Sequence, residues 1–263
     1  MVGRNQQELN AALRDASAPI KLVLFDIDGT LSSGGKFTRA LSTAIGTELG
    51  LAVTTEELEE RIKAGKTSRE ELAIIVEKAG VPKERQKEAI EHILTSAYGL
   101  LKRELSNSPL IVLEGVTELL GQLNSKPDTV LGVVTNNTKA AMEIKLASSG
   151  LIRYFPQGSI MVCAEDGGSK KELFEFAITK AESALNARLK RSSVFYFGDQ
   201  VSDVIAGKLA GAVVIGVATG RSTFDELVRA GADVVLHKLS ESNSAMAAIY
   251  GAQRPTARSK RHS

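Results

Sequence analysis

Two aspartates one residue apart, in Phe25-Asp26-Ile27-Asp28-Gly29-Thr30, end an apolar run that begins at Lys21. Thr135-Asn136-Asn137 ends a second run, Val130–Thr135, and Gly198-Asp199 ends another, Val194–Gly198, with Asp203 just beyond. The run Ile160–Ala164 leads into Glu165-Asp166-Gly167-Gly168-Ser169-Lys170-Lys171. Ligands of open parallel sheets bind beyond the carboxyl ends of the strands. If these runs are neighbouring strands, their ends bring four carboxylates, a hydroxyl and a lysine into one crevice. Two carboxylates about 4 Å apart repel by roughly 4 kcal/mol at an effective dielectric of about 20, and a bound divalent cation relieves that repulsion. Small oxygen ligands with room left for water and a phosphate suit Mg²⁺. No His or Cys clusters with them, which argues against zinc.

The chemistry that follows is phosphoryl transfer. Asp26 can attack phosphorus and form an aspartyl-phosphate. Asp28, on the same side of an extended backbone, can protonate the leaving oxygen and then activate water, provided its pKa is raised. Thr135 and the Asn136 amide can hold phosphoryl oxygens, and Lys170 supplies positive charge that gains value in the transition state. Ser169-Lys170-Lys171-Glu172 reads as a capping box, so both lysines fall in a first helical turn, where a cation opposes the helix dipole. A bound anion would offset that cost; plain solvation of both lysines is the alternative.

The elements that must position these groups follow from hydrophobic periodicity. Six short apolar runs predict strands: Lys21–Asp26, Val130–Thr135, Ile160–Ala164, Val194–Gly198, Val213–Val217 and Asp233–Leu236. Helical spacing lies between them, at Thr138–Ser149, where Ala141, Ile144, Lys145 and Leu146 share the pattern, and at Lys171–Asn186, Ser202–Ala210 and Thr223–Ala230. Strand alternating with helix predicts an α/β fold, a Rossmann-like, doubly wound parallel sheet. From about Phe37 to Asn107 there is helix signal only, with capping starts at Thr54-Thr55-Glu56-Glu57 and Ser68-Arg69-Glu70-Glu71. Four amphipathic helices there predict a small bundle inserted into the α/β core. The expected division is a core of residues 1–33 and 109–250, an insert of 34–108, and a basic, disordered tail of 251–263.

Phe25-Asp26-Ile27-Asp28-Gly29-Thr30, Val134-Thr135-Asn136 and Gly198-Asp199-Gln200-Val201-Ser202-Asp203 together resemble the ordered motifs of the haloacid dehalogenase-like hydrolases. The resemblance is to the branch of phosphoglycolate phosphatases and β-phosphoglucomutases, and it covers nearly the whole chain. It implies that Asp26 and Asp199 bind Mg²⁺ through carboxylates, Asp28 through its backbone carbonyl, and Asp203 through water or from behind the ligands. It implies that the helical insert is the α-helical cap domain over the substrate and that Gly65-Lys66-Thr67 belongs to its substrate-specificity loop; an ordinary helix–helix turn reads equally well. Asp28 favours phosphate esters, because the family's dehalogenases and phosphonate-cleaving members lack it. The third motif departs from the family's usual Lys-Pro. Lys170-Lys171-Glu172 stands there, and Lys170 is preferred to Lys171.

Composition narrows the rest. With 43% hydrophobic and 24% charged residues the chain is globular, and its net charge of +2, with Arg254, Arg258, Lys260 and Arg261 and no acidic residue in the tail, gives no reason to expect a nucleic-acid face. No segment is apolar and long enough to span a membrane, and Met1 to Ala18 lacks a secretory core. Cys163, the single cysteine, excludes an internal disulfide and reads as a small buried hydrophobe; a cytoplasmic location fits. Arg221 follows a strand end and is read as a surface arginine that could approach the site. The leading expectation is a phosphatase for a small phosphorylated metabolite. A sugar-phosphate mutase and a catalytically idle binding protein are the alternatives. Oligomeric state is not readable.

Overall fold

A computed structural model describes residues 19–34, 36–63, 67–156 and 158–251. The N-terminal segment to Ala18, Gly65, Lys66 and the basic tail beyond Gly251 lie outside these residues. Six strands form one sheet: β1 (Lys21–Phe25), β2 (Thr129–Val134), β3 (Ile160–Val162), β4 (Val194–Gly198), β5 (Val213–Val217) and β6 (Val234–Leu236). Their order is β3-β2-β1-β4-β5-β6, and every pairing is parallel. The chain winds outward from β1 through β2 to β3, then returns to the other side of β1 at β4. That reversal is a topological switch point, where the crevice of an open α/β sheet lies.

Alternation along β1 supplies the two cores. Val23 and Phe25 pack with Leu131, Val133 and Phe197 under helices α5 (Val116–Asn124), α6 (Lys139–Ser148) and α10 (Ser242–Tyr250). Leu22 and Leu24 pack with Val130, Tyr196 and Val214 under α7 (Lys170–Leu185) and α8 (Val201–Leu209). Phe25 stacks on Phe197 at 4.7 Å between ring centroids, and Phe174 meets Tyr196 edge-on at 4.3 Å. A sheet covered on both faces needs apolar residues on both sides of each strand, which is why the strand runs are continuous rather than alternating. A short helix, α9 (Phe224–Arg229), links β5 to β6.

Between β1 and α5 the described chain is helical: α1 (Lys36–Leu49), α2 (Thr55–Lys63), α3 (Ser68–Lys78) and α4 (Lys83–Asn107). Phe37, Leu41, Ala44, Ile45, Leu58, Leu72, Val76, Ile93 and Leu94 make a core of their own. The expected capping box forms at Thr54 with Glu57, whereas at the next start it forms one residue earlier than expected, Thr67 with Glu70 rather than Ser68 with Glu71, and Ser68 is already helical. Ala141 of α6 joins this cluster, and the Tyr98 hydroxyl donates to Thr138 Oγ1 at 2.9 Å, so the insert rests on the helix that follows β2. None of the described helices is long and apolar enough to cross a membrane. Cys163 is buried as expected, and burial with the Asp166 carboxylate beside it pushes its thiol up to about 12.

Candidate active site

Asp26 is the first residue past β1 and Asp199 the first past β4, so the two innermost parallel strands aim one carboxylate each into the switch-point crevice. The Asp26 backbone N–H still donates to the Phe197 carbonyl at 2.9 Å, which fixes it as a continuation of the sheet. The chain then turns, the Ile27 carbonyl accepting from Leu31 at 2.9 Å and Ser32 at 3.0 Å. Both Asp26 and Asp28 line one cavity of about 430 Å³ with Thr135, Asn136, Lys170 and Asp199.

Lys170 opens α7 beneath this cavity. Its ammonium lies 3.0 Å from Asp26 Oδ1 and 3.1 Å from Asp203 Oδ1. Ser169 caps the helix by accepting from the Glu172 N–H at 3.3 Å. The expected reciprocal bond is absent, since Glu172 accepts from the Gly168 N–H instead, at 2.8 Å. The unfavourable placement of a cation in a first turn is offset here by two carboxylates. Lys171, one residue on, is exposed. Asp203, in the first turn of α8, also accepts from the Tyr196 hydroxyl at 3.1 Å and from the Gln200 N–H at 3.0 Å, so both of its oxygens are engaged.

Asp199 is wholly buried, and among the described residues its carboxylate accepts from the Arg221 N–H at 2.8 Å and from the Thr30 hydroxyl at 3.5 Å. Two glycines let the backbone close around it. A Cβ on Gly29, whose φ is +82°, would come within 2.5 Å of Asp199 Oδ2, and one on Gly220 within 1.8 Å. Burial, then the charges of Asp203 and Asp26, pushes the Asp199 carboxyl up to about 8. Burial also lifts Asp26, to about 6, with Lys170 pulling against it and Asp203 and Asp28 adding to it. Lys170 is held above its ordinary value: burial opposes its charge, and the carboxylates of Asp203 and Asp26 outweigh it.

Oxygens of Asp26, Asp199 and Asp203 lie within 4.8 Å of one another. Three buried carboxylates facing one lysine leave negative charge uncompensated, and all donors are hard oxygens. That set fits a small divalent cation such as Mg²⁺, with Asp26 and Asp199 offering the open oxygens.

Thr135 caps β2 and is buried. Its Oγ1 accepts from the Asn137 backbone N–H at 3.3 Å and from Asn137 Nδ2 at 2.8 Å, and a hydroxyl that accepts twice still has its own proton to donate. Asn137 and Lys145 also line the cavity, and the sequence assigns neither a role there: it places Asn137 at a strand end and Lys145 on a helical stripe. Asn137 Nδ2 also donates to Asp28 Oδ2 at 2.8 Å. Lys145 Nζ lies 2.7 Å from Asp28 Oδ1, 2.5 Å from Asp28 Oδ2 and 2.8 Å from Asn137 Oδ1. Asn136, its neighbour, lines the cavity half-exposed.

The insert contributes Phe37, Thr38, Glu59 and Ser68 to the cavity. Arg221 does approach the site, and its guanidinium lies 3.2 Å from Glu59 across the mouth. Thr67 does not reach the cavity. Its hydroxyl accepts from the Glu70 N–H at 3.2 Å as a helix cap, and it lines a separate cleft with Thr138 and Glu165.

A model of the haloacid dehalogenase-like hydrolases matches residues 20–211. "Probable phosphatase IndB" of Dickeya dadantii is 28% identical over 231 residues, spanning 84% of this chain and 90% of its own length. Among solved structures, "a predicted phosphoglycolate phosphatase" from Haemophilus somnus aligns with a TM-score of 0.64 at 16% identity, covering 88% of this chain and 100% of its own. A β-phosphoglucomutase from Clostridium difficile aligns at 0.62 with 19% identity, covering 84% and 92%. At these identities the two structures share the fold. The family match runs from the residue before β1 past α8 and so takes in Asp26, Asp28, Thr135, Lys170, Asp199 and Asp203; the chain belongs to the haloacid dehalogenase-like hydrolases.

Proposed function

We propose that this hydrolase is a Mg²⁺-dependent phosphatase that cleaves a small phosphorylated metabolite through an aspartyl-phosphate on Asp26. The observation that carries the reading is the pairing of Asp26 with Lys170 at 3.0 Å beside the buried Asp199 and Asp203. A relative whose name describes a phosphatase supports it. Residues 34–108 act as the cap on a core of 1–33 and 109–250, and the cavity of about 430 Å³ between them suits a metabolite-sized ligand.

Mg²⁺ would be held by the carboxylates of Asp26 and Asp199 and the Asp28 carbonyl, with Asp203 behind them, and it would supply charge that offsets the crowded carboxylates and the phosphoryl group. The remaining work falls to the chain itself. An Asp26 oxygen attacks phosphorus while the bond to the ester oxygen breaks, and Asp28 delivers a proton to that departing oxygen. Asp28, now a carboxylate, takes a proton from water as the water attacks the aspartyl-phosphate. The Asp26–phosphorus bond breaks, orthophosphate leaves, and both carboxyl groups return to their starting forms. Lys170 stabilises charge on the phosphoryl oxygens, and the Thr135 hydroxyl and Asn136 amide orient them. The Lys170 ammonium, 3.0 Å from Asp26 Oδ1, favours the ionised carboxylate that a nucleophile must be.

Release of phosphate from p-nitrophenyl phosphate tests this directly. Activity should require Mg²⁺ and be lost in Asp26→Asn. Full activity in that variant would refute the covalent mechanism. A screen of phosphorylated metabolites with the same protein then selects the substrate.

A further inference from the structure

We propose that Lys145 is a positioning residue that fixes the Asp28 carboxyl group for proton delivery to the leaving oxygen; the proposal rests on the phosphatase reading above. Lys145 lies on α6 in an apolar stripe with Ala141, Met142 and Leu146, and its side chain is only 2% exposed. A leucine or methionine would pack at such a position without burying a charge. Buried charged pairs seldom repay their desolvation as stability, and here the pair holds the Asp28 carboxyl group in one orientation.

The geometry here is specific. The three protons of the ammonium face three oxygens: both of Asp28, at 2.7 and 2.5 Å, and Asn137 Oδ1 at 2.8 Å. The Asn137 amide nitrogen closes the ring by donating to Asp28 Oδ2 and to Thr135 Oγ1, each at 2.8 Å. Asp28 itself lies in the turn beyond β1, bridged through its backbone to Ser32, with 26% of its side chain exposed, and that pairing does not fix its carboxyl group. Lys145 and Asn137 do. The two lysines of the site are thereby divided. Lys170 serves the nucleophile and Asp203, whereas Lys145 touches neither and serves Asp28.

Proton delivery matters to an alkyl ester, whose alkoxide leaves poorly, and little to p-nitrophenyl phosphate, whose phenolate leaves unaided. The test is kcat/KM for p-nitrophenyl phosphate and for glycerol 2-phosphate, with Mg²⁺, in the wild-type chain and in Lys145→Met. The ratio of alkyl to aryl kcat/KM should fall at least about tenfold in the variant, a part of the ~10²–10⁴-fold that general acids contribute. Asp28→Asn should lower the same ratio, and Lys145→Met should lower it no further in that background. Equal losses on both esters would reduce Lys145 to a structural role and overturn the proposal, as would a wild-type chain active on the aryl ester alone. A wild-type chain inactive on both refutes the phosphatase reading, and the proposal falls with it. If Lys145→Met does not fold, Lys145→Gln, which keeps an amide donor, is read in the same two assays with the same criteria.

Discussion

Replacing Asp199 by asparagine should stabilise the metal-free protein while ending its activity. Asp199 is wholly buried among Asp26 and Asp203, with Lys170 as the neighbouring cation, and its carboxyl is pushed up to about 8. An unfolded aspartate ionises near ~3.9. Between those values the folded protein keeps a proton that the unfolded chain has lost, so stability falls as pH rises, by up to about 1.4 kcal/mol per pH unit, and levels off above about 8. The whole interval corresponds to a ceiling of about 6 kcal/mol. One neighbouring carboxylate at about 4 Å accounts for roughly 4 kcal/mol at an effective dielectric of 20, and Lys170 offsets part of it. We therefore expect Asp199→Asn to gain about 2–4 kcal/mol near pH 8 and almost nothing near pH 4. The asparagine oxygen can still accept from the Arg221 N–H. Urea denaturation in EDTA, followed by circular dichroism across that range, measures the difference. Comparing the variant with the wild type cancels the titrating groups that lie away from Asp199 and its carboxylate neighbours. An advantage that is absent near pH 8, or equal at both ends, would refute the electrostatic reasoning.

Three further outcomes follow from the site. Lys170→Met strips the shared cation from Asp26 and Asp203 and should cost about 3–5 kcal/mol in EDTA above pH 7 along with phosphatase activity, whereas the exposed Lys171→Met should change stability by less than about 0.5 kcal/mol; parallel melts and assays separate the two. Gly220→Ala would drive a Cβ to within 1.8 Å of Asp199 Oδ2, so Asp199 must move, and the Mg²⁺ concentration for half-maximal activity should rise about tenfold, the equivalent of 1.4 kcal/mol. Glu59→Gln removes a pair whose members are 30% and 26% exposed. It should leave stability within about 1 kcal/mol and raise KM by no more than about fivefold, as steady-state kinetics would record.

Much of this arrangement is legible in the chain because it depends on local rules. β4 and β5 match their apolar runs at both ends, and the other strands differ from theirs by one or two residues, since a strand buried on both faces must be continuously apolar. The strand-end residues Asp26, Thr135 and Asp199 follow from the same rule. Lys170 could be preferred to Lys171 from a helix start at Ser169, because only one of two adjacent residues can face inward from a first turn. Lys145 was hidden by its position: it shares an apolar helical stripe, and periodicity counts such a residue without asking what its end reaches. A lysine in a core stripe was the available signal. Asn136 and Asn137 are adjacent and chemically identical, so which one turns towards Asp28 is decided by the turn after β2, a tertiary matter. Helix α10 carries weak periodicity and forms because it covers the sheet next to β6. Thr67 carries both a cap signature and a place in the expected specificity loop, and the cap takes its hydroxyl.

The central position of β1 has a consequence for how the molecule is made. β1 pairs through Lys21 with Thr129 and through Leu22 with Val194, so both neighbours lie more than a hundred residues downstream. During synthesis β1 gains its first partner only after helices α1 to α5 have passed, and its second only when β4 follows. Contacts so distant in sequence are slow to close, and an apolar strand waiting unpaired is exposed to association with other chains. The helices α1 to α4, which bury a core of their own, can form in the interval. β1 thus waits for both of its partners, and Asp26 can meet Asp199 only once β4 has been made.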